Sequence, residues 1–330
     1  MPAITEPAPA KINLALHVRR RRPDGYHDLE TLFAFATDGD LITVEAAEAN
    51  TFTITGPFAA ALLPPRDTTA SPDTTSSPDT TPTPNTTSAS NTPPAKAGAQ
   101  LGAANEDAHG SPIPGTAPWS GNLVTAAADA FTAAFTPNAH HAITLEKHLP
   151  IASGIGGGSA DAAATLRARA RLHEVPKTDP RLHEIAARLG ADVPACLANR
   201  TTLGTGKGDD LTNLEGLSGT PLLLVNPGVA VSTAAVFNTW DGQDRGPIPE
   251  GTLLDRAIAG RNDLELPALA LAPEIAQVRA LLDAAHGVRL SRMSGSGATC
   301  FALFETPEAR DAAATAAQAH GWWTLATTMA

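Results

Sequence analysis

One stretch restricts the fold more than any other: Leu149-Pro150-Ile151-Ala152-Ser153-Gly154-Ile155-Gly156-Gly157-Gly158-Ser159-Ala160-Asp161. A strand-like apolar approach from Ala142 to Leu145 enters it, and the helix-forming Ala162-Ala163-Ala164-Thr165-Leu166-Arg167 leaves it. Strand, glycine loop and helix in that order gather free backbone N–H groups and the positive end of a helix dipole at one point. That is an anion site, and phosphate is its natural guest. The loop is not a Walker A sequence, because no Lys-Ser/Thr pair follows its glycines, and Ser159 stands where G-x-G-x-x-G would have its last glycine. The same glycines would also serve a tight turn with close helix packing. The remainder of the chain decides between the two.

With 330 residues, the chain is long enough for two domains with sizeable cores. A formal net charge of -11 at pH 7 argues against a nucleic-acid surface. Two cysteines, Cys196 and Cys300, are too few for a disulfide framework or a zinc site, and the histidines include no H-E-x-x-H, so no metal ligand is assigned. Met1-Pro2-Ala3-Ile4-Thr5-Glu6 carries no basic stretch leading into an apolar one, and no apolar run approaches the roughly 20 residues of a membrane span. The expectation is a soluble, cytoplasmic protein without membrane contact.

From Lys11 to Val18 the sequence alternates, which places Ile12, Leu14, Leu16 and Val18 on one face of a strand and Lys11, Asn13, Ala15 and His17 on the other. By itself the polar face reads as a solvated edge. Arg19-Arg20-Arg21-Arg22 then leads to the turn signature Pro23-Asp24-Gly25, followed by Tyr26, the only tyrosine, and His27. This aromatic pair has the means to stack on a base, although a packed hairpin corner explains it equally well. Strands are expected at Leu29 to Phe35, Leu41 to Glu45 and Thr51 to Thr55, with breaks at Asp38-Gly39-Asp40 and Gly56-Pro57. From about residue 64 to 118 the sequence is rich in Thr, Pro, Ser, Asp, Ala and Gly, with no aromatic residue between Phe58 and Trp119. Such a segment buries too little apolar area to offset its ordering entropy, and a disordered insertion is expected.

Order is expected again at Asn122, a helix cap preceding Val124, Ala127, Phe131 and Phe135 on one face. A strand at His140 to Glu146 feeds the glycine loop, and Pro180 to Leu189 forms a helix stopped by Gly190. In Gly190-Ala191-Asp192-Val193-Pro194, Asp192 taken alone reads as an N-cap rather than a catalytic group. Gly204 to Asp210 reads as a hinge between domains. Further on, Pro221 to Gly228 is a buried strand ending in a turn, Ser232 to Trp240 a short helix, and Glu274 to His286 a helix before Gly287. Arg292 to Phe304 contains a second glycine turn, Ser294-Gly295-Ser296-Gly297, that feeds an apolar strand.

Four motifs therefore stand in order: Pro9-Ala10-Lys11-Ile12-Asn13 with Arg22-Pro23-Asp24-Gly25-Tyr26-His27; the loop from Pro150 to Asp161; Gly190 to Pro194; and Ser294 to Gly297. The ordered set resembles the galactokinase, homoserine, mevalonate and phosphomevalonate (GHMP) kinase superfamily. The Arg-Pro-Asp-Gly-Tyr-His hairpin resembles the branch that phosphorylates a cytidine diphosphate-linked methylerythritol in the non-mevalonate route to isoprenoid precursors. The resemblance implies an α+β protein with a two-domain GHMP kinase fold. Residues 1–215 would form an ATP-binding and catalytic domain like the second domain of ribosomal protein S5, and residues 216–330 a ferredoxin-like domain. It also implies transfer of the γ-phosphoryl group of ATP to a tertiary 2-hydroxyl, with Mg²⁺ on the phosphates, in a monomer or homodimer.

The roles it implies are specific. Asp192 would take the hydroxyl proton, and Lys11 would orient that hydroxyl and keep Asp192 anionic. Pro150, Ile151, Ala152, Ser153, Gly154, Ile155, Gly156, Gly157, Gly158, Ser159 and Ala160 would cradle ATP. Tyr26, His27 and Phe237 would embrace the cytosine, with Asn13 and Thr233 on the rest of the substrate. Two alternatives stand beside this reading. A homoserine- or mevalonate-type kinase is opposed by the Tyr26-His27 hairpin, and a catalytically silent nucleotide-binding protein is opposed by the presence of both Lys11 and Asp192.

Overall fold

The alternation around Lys11 belongs to a strand far longer than the periodicity suggests. In the computed structural model, which describes residues 2–63, 115–117, 119 and 121–330, β1 runs from Ile4–Arg21 and β2 from His27–Ala47. The two pair antiparallel through the Pro23-Asp24-Gly25 turn. The Asp24 carboxylate accepts the Tyr26 N–H at 3.1 Å, which closes that turn. The expected break at Asp38-Gly39-Asp40 is instead an irregularity within β2. Pro9 pairs with Gly39 and Lys11 with Phe35, so four residue steps of β2 face two of β1. A Cβ on Gly39 would lie 2.1 Å from the Ala8 carbonyl oxygen, so glycine is there for strand contact rather than for chain reversal.

The order then continues β3 (Thr51–Thr55), β4 (Gly115–Thr116), α1 (Leu123–Phe135), β5 (His140–Glu146), α2 (Gly157–Leu172), α3 (Pro180–Leu189), α4 (Val193–Ala198), β6 (Thr202–Thr205) and β7 (Asp210–Asn213). These strands form a seven-stranded sheet in the order β4-β3-β5-β2-β6-β7, with β1 on β2. Asn122 caps α1 as its sequence position suggests, its side chain accepting the Val124 N–H at 2.8 Å. The Thr/Pro-rich insertion lies outside the described residues up to 114; its last part departs from the expectation, since Gly115–Thr116 pairs with β3. The stretch read as an inter-domain hinge is the hairpin between β6 and β7, turned at Gly206 and Gly208, both of positive φ.

The rest of the chain supplies β8 (Pro221–Asn226), α5 (Thr233–Thr239), α6 (Leu253–Ala259), α7 (Glu265–Leu271), α8 (Glu274–Asp283), β9 (Val288–Met293), β10 (Cys300–Phe304), α9 (Pro307–Gln318) and β11 (Trp323–Thr328). Its four strands are antiparallel in the order β11-β8-β10-β9, and the connections run strand, helices, two strands, helix, strand. That is the split arrangement of a ferredoxin-like unit.

Helices α1 and α2 bury Val124, Phe131, Leu166 and their alanines against Val44, Ile54 and Ile143 of the large sheet. A second apolar cluster lies between the small sheet and α8, around Ile275, Val278 and Phe304. A third joins Ile12 and Leu14 of β1 to Leu222, Leu224 and Phe301 of the small sheet, which fastens the strand bearing Lys11 to both halves. Among the described residues, no helix is long and apolar enough to cross a membrane.

Candidate active site

The glycine loop is a tight turn with close packing, and it ends at a helix N-terminus. Gly154 has φ +78°, and a Cβ there would lie 2.5 Å from the Ser294 carbonyl oxygen and 2.7 Å from that of Gly297. The two glycine turns are therefore packed backbone on backbone. Ser294 Oγ donates to the Gly154 carbonyl at 3.0 Å, and Thr299 N–H donates to that of Ser153 at 3.1 Å. Ser153 turns its own hydroxyl inward to the Pro150 carbonyl at 2.7 Å. Gly156 forms the N-cap of α2 at φ +64°, where a side chain would meet Lys11 Cε at 2.8 Å. Beyond it the first N–H groups of α2 open onto a cleft of about 840 Å³. Pro150 to Gly154 and Gly156 to Ser159 line this cleft. Ile155 and Ala160 do not; their side chains are buried in the two adjoining cores, so Ile155 contributes only backbone, its carbonyl accepting the Lys11 N–H at 3.0 Å.

Lys11 and Asp192 meet in the same cleft, Nζ to Oδ2 at 3.0 Å. Asp192 does occupy the N-cap position of α4, yet its side chain makes no capping bond and turns to the lysine instead. Lys11 is 3% exposed. Its ammonium also donates to Asn13 Oδ1 at 3.0 Å and lies 5.3 Å from the centre of the Phe33 ring. The Asn13 amide donates to Thr31 Oγ1 at 2.7 Å, which fixes its orientation. The polar face expected to be a solvated edge is thus the buried wall of a site. The expected alternation fails as well, because a bulge puts Leu16 on the cleft side, while His17 points away to Gly246 and Arg261.

The aromatic residues gather at one end of the cleft. His27 stacks on Phe237, centroids 4.8 Å apart at 30°, and meets Trp240 edge-on at 5.6 Å. Burial, and then Arg21, hold the His27 imidazole below its usual pKa. Tyr26 is 56% exposed and lines the cleft with Lys207, whose ammonium lies 5.1 Å from the ring centre. Thr233 joins Ser296 through their hydroxyls at 2.8 Å, tying α5 to the second glycine turn.

Several groups in the cleft wall escaped the sequence reading. Lys147 donates to Asp40 Oδ2 at 2.5 Å and to Asp161 Oδ2 at 2.7 Å, with all three side chains buried. Asp40 Oδ1 also accepts the N–H groups of His148 and Leu149, and so anchors the entry to the loop. Burial pushes the Asp161 carboxyl above the usual carboxylate range, against the pull of Lys147. Its Oδ1 is buried without a partner among the described residues. The available signal was a charge on each side of the glycine run, Lys147 before it and Asp161 at its end.

Comparison with known proteins agrees with this geometry. The family model for the GHMP kinases N terminal domain matches residues 122–200, and that for the GHMP kinases C terminal region matches residues 251–321. Both assign the chain to the GHMP kinases, the class that the fold and the paired glycine loops define. A relative from Rhizorhabdus wittichii named 4-diphosphocytidyl-2-C-methyl-D-erythritol kinase is 46% identical, the match covering 97% of this chain and 93% of that protein. Another of the same name from Novosphingobium aromaticivorans is 44% identical over 98% and 92%. A crystal structure of 4-(cytidine 5'-diphospho)-2C-methyl-D-erythritol kinase superposes with a TM-score of 0.67 at 30% identity and covers 98% of both chains. Within the GHMP kinases, the chain belongs to the 4-diphosphocytidyl-2-C-methyl-D-erythritol kinase family.

Proposed function

We propose that the chain transfers the γ-phosphoryl group of ATP to the 2-hydroxyl of 4-diphosphocytidyl-2-C-methyl-D-erythritol, a step in non-mevalonate isoprenoid precursor synthesis. The observation that carries the chemistry is the Lys11–Asp192 pair, 3.0 Å apart in a cleft floored by two glycine turns and a helix N-terminus. Asp192 accepts the hydroxyl proton, and Lys11, held by Asn13, orients the attacking oxygen. The α2 N-terminus and the loop from Pro150 to Ser159 hold the phosphates, so catalysis rests on position and charge stabilisation. Tyr26, His27 and Phe237 receive the cytosine; Asn13 and Thr233 contact the remainder of the substrate.

Among the described residues, no group of three or more His, Cys, Asp or Glu converges to hold a metal ion. Nucleotide-bound Mg²⁺ needs only one or two carboxylates besides phosphates and water. Asp161, with Oδ1 unpartnered in the cleft wall, fits that requirement. The ion would supply neutralisation of phosphate charge. We take residues 1–215 as the ATP-binding and catalytic domain and residues 216–330 as the C-terminal GHMP kinase domain. One chain builds the whole cleft, so a monomer or a homodimer in the cytoplasm would carry a complete site.

The test is ATP consumption with Mg²⁺ and three acceptors in parallel: 4-diphosphocytidyl-2-C-methyl-D-erythritol, mevalonate and homoserine. Turnover on the cytidylyl acceptor alone is expected. Turnover on either of the others instead would overturn the acceptor assignment.

A further inference from the structure

Strand β1 changes face at Leu14. Asn13 pairs with Phe33 and Ala15 with Leu32, which leaves Leu14 as the extra residue of a β-bulge. Before the bulge Lys11 and Asn13 face the cleft; after it Leu16 does. A bulge takes a carbonyl out of the ladder, and buried carbonyls need partners. The partner of the Leu14 carbonyl is Arg292 of β9, whose Nη1 donates to it.

The same guanidinium donates to the carbonyls of Ala257 and Gly260, each at 2.7 Å. These belong to the last turn and C-cap of α6, where unpaired carbonyls and the negative end of the helix dipole favour a cation. Arg292 is 8% exposed, and its hydrogen bonds go to the carbonyl oxygens of Leu14, Ala257 and Gly260. The helix end presses on the strand here: a Cβ on Gly260 would lie 2.8 Å from the Ala15 Cβ. Two residues beyond Arg292, Ser294 Oγ accepts the Asn13 N–H at 3.2 Å and donates to the Gly154 carbonyl. Asn13 holds Lys11, and Lys11 holds Asp192. Bonded contacts thus run from the buried guanidinium to the pair at the centre of the cleft.

We propose that Arg292 is a positioning residue for phosphoryl transfer: its grip on three carbonyls pins the Leu14 bulge, and the bulge turns Lys11 and Asn13 toward Asp192 and the phosphate loop. The physical ground is the period of a strand. A shift of one residue moves every side chain to the opposite face, so a bulge beside Asn13 decides which residues reach the substrate. Without the clamp, three buried carbonyls lose their partner and the strand gains a reason to relax toward regular pairing. The inference rests on the phosphoryl-transfer reading above.

The test uses the full chain with Arg292→Met, Arg292→Lys and Arg292→Ala, turnover being expressed per molecule that binds a non-hydrolysable ATP analogue. For Arg292→Met, kcat is expected to fall about 100-fold, the scale of a misplaced reacting group, while analogue affinity stays within about twofold. Arg292→Lys should fall less, and guanidinium chloride at non-denaturing concentration should restore turnover to Arg292→Ala where sodium chloride does not. A wild-type kcat per binding-competent molecule, with the deficit confined to melting temperature, would overturn the proposal and leave Arg292 a structural residue. Should Arg292→Met fail to fold, wild-type kcat in Arg292→Lys would overturn it equally. Should the wild type not turn over the cytidylyl acceptor, the functional reading fails separately. In that case a crystal structure of Arg292→Lys decides the clamp: an undisturbed bulge and Lys11–Asp192 pair would refute it, and a shifted Lys11 would uphold it.

Discussion

Acid should weaken this protein at a point remote from the chemistry yet joined to it. His141 is the second residue of β5, which enters the glycine loop, and Arg169 and the C-cap His173 stand at the end of α2, which leaves it. Arg169 Nη2 lies 3.0 Å from His141 Nδ1, and a guanidinium can only donate, so Nδ1 accepts. The proton then sits on Nε2 and is donated to His173 Nε2 at 2.8 Å. This arrangement has no room for a second proton on His141. Burial first, and Arg169 second, lower its pKa from 6.5 to about 4. The unfolded chain therefore takes up the proton before the folded one does. The resulting stability is fully present above about pH 6.5 and is lost as pH falls toward about 4. With those two values, about 2 kcal/mol is gone by roughly pH 5 and about 3 kcal/mol by roughly pH 4. The assay is urea unfolding at several pH values for wild type and His141→Gln, the difference between the two curves reporting His141 together with its partner His173. The gap should be widest at neutral pH and should close as the wild type loses its advantage. Parallel curves from neutral pH down to about pH 4.5 would refute the reasoning.

Asp192→Asn should keep ATP affinity and lose about 10³-fold in kcat, as expected of a missing general base; steady-state kinetics with near-normal kcat would remove Asp192 from that role. Tyr26→Ala should raise KM for the cytidylyl acceptor about tenfold, the worth of one stacking contact, without changing KM for ATP; equal effects on both substrates would take Tyr26 out of the cytosine site. Gly154→Ala should lower the melting temperature sharply, because its Cβ would meet the Ser294 and Gly297 backbone. Gly158→Ala, whose Cβ would touch only Leu123 Cδ1 at 3.7 Å, should leave melting unchanged and weaken ATP binding; calorimetry on both variants separates the two effects.

The parts legible in the sequence were those written in local chemistry. The turn at Pro23-Asp24-Gly25, the Asn122 cap, the strand into the glycine loop and the helix out of it all follow from residues adjacent in the chain. What stayed hidden was decided by distant partners. Asp192 sits where an N-cap sits, and only the arrival of Lys11 from β1 turns its carboxylate away from α4. The alternation from Lys11 to Val18 appeared unbroken because Leu14 and Leu16 are equally apolar, so a bulge at Leu14 leaves no mark in the hydrophobic pattern. Lys147 and Asp161 flank one glycine run, but Asp40, which completes their cluster, comes from a distant strand and nothing local ties it to them.

The choice first posed by the glycine loop, tight turn or anion site, dissolves in the fold because different glycines answer it. Gly154 and Gly156 carry positive φ and admit, respectively, the second glycine turn and the stem of Lys11; they bring β1 against the loop. Gly157 and Gly158 begin α2 and leave its N–H groups uncovered toward the cleft. Packing at the first pair sets the place of the second: under the proposed reaction, phosphate at the helix N-terminus is productive only when Lys11 and Asp192 stand at a fixed place beside it. The second turn completes the logic: Ser294 bonds both Asn13 and Gly154, so strand, loop and small sheet reach the cleft through one hydroxyl. A chain with the same glycine loop but without that partner would keep its helix N-terminus and lose the contact that fixes Asn13, and through it Lys11, beside the loop.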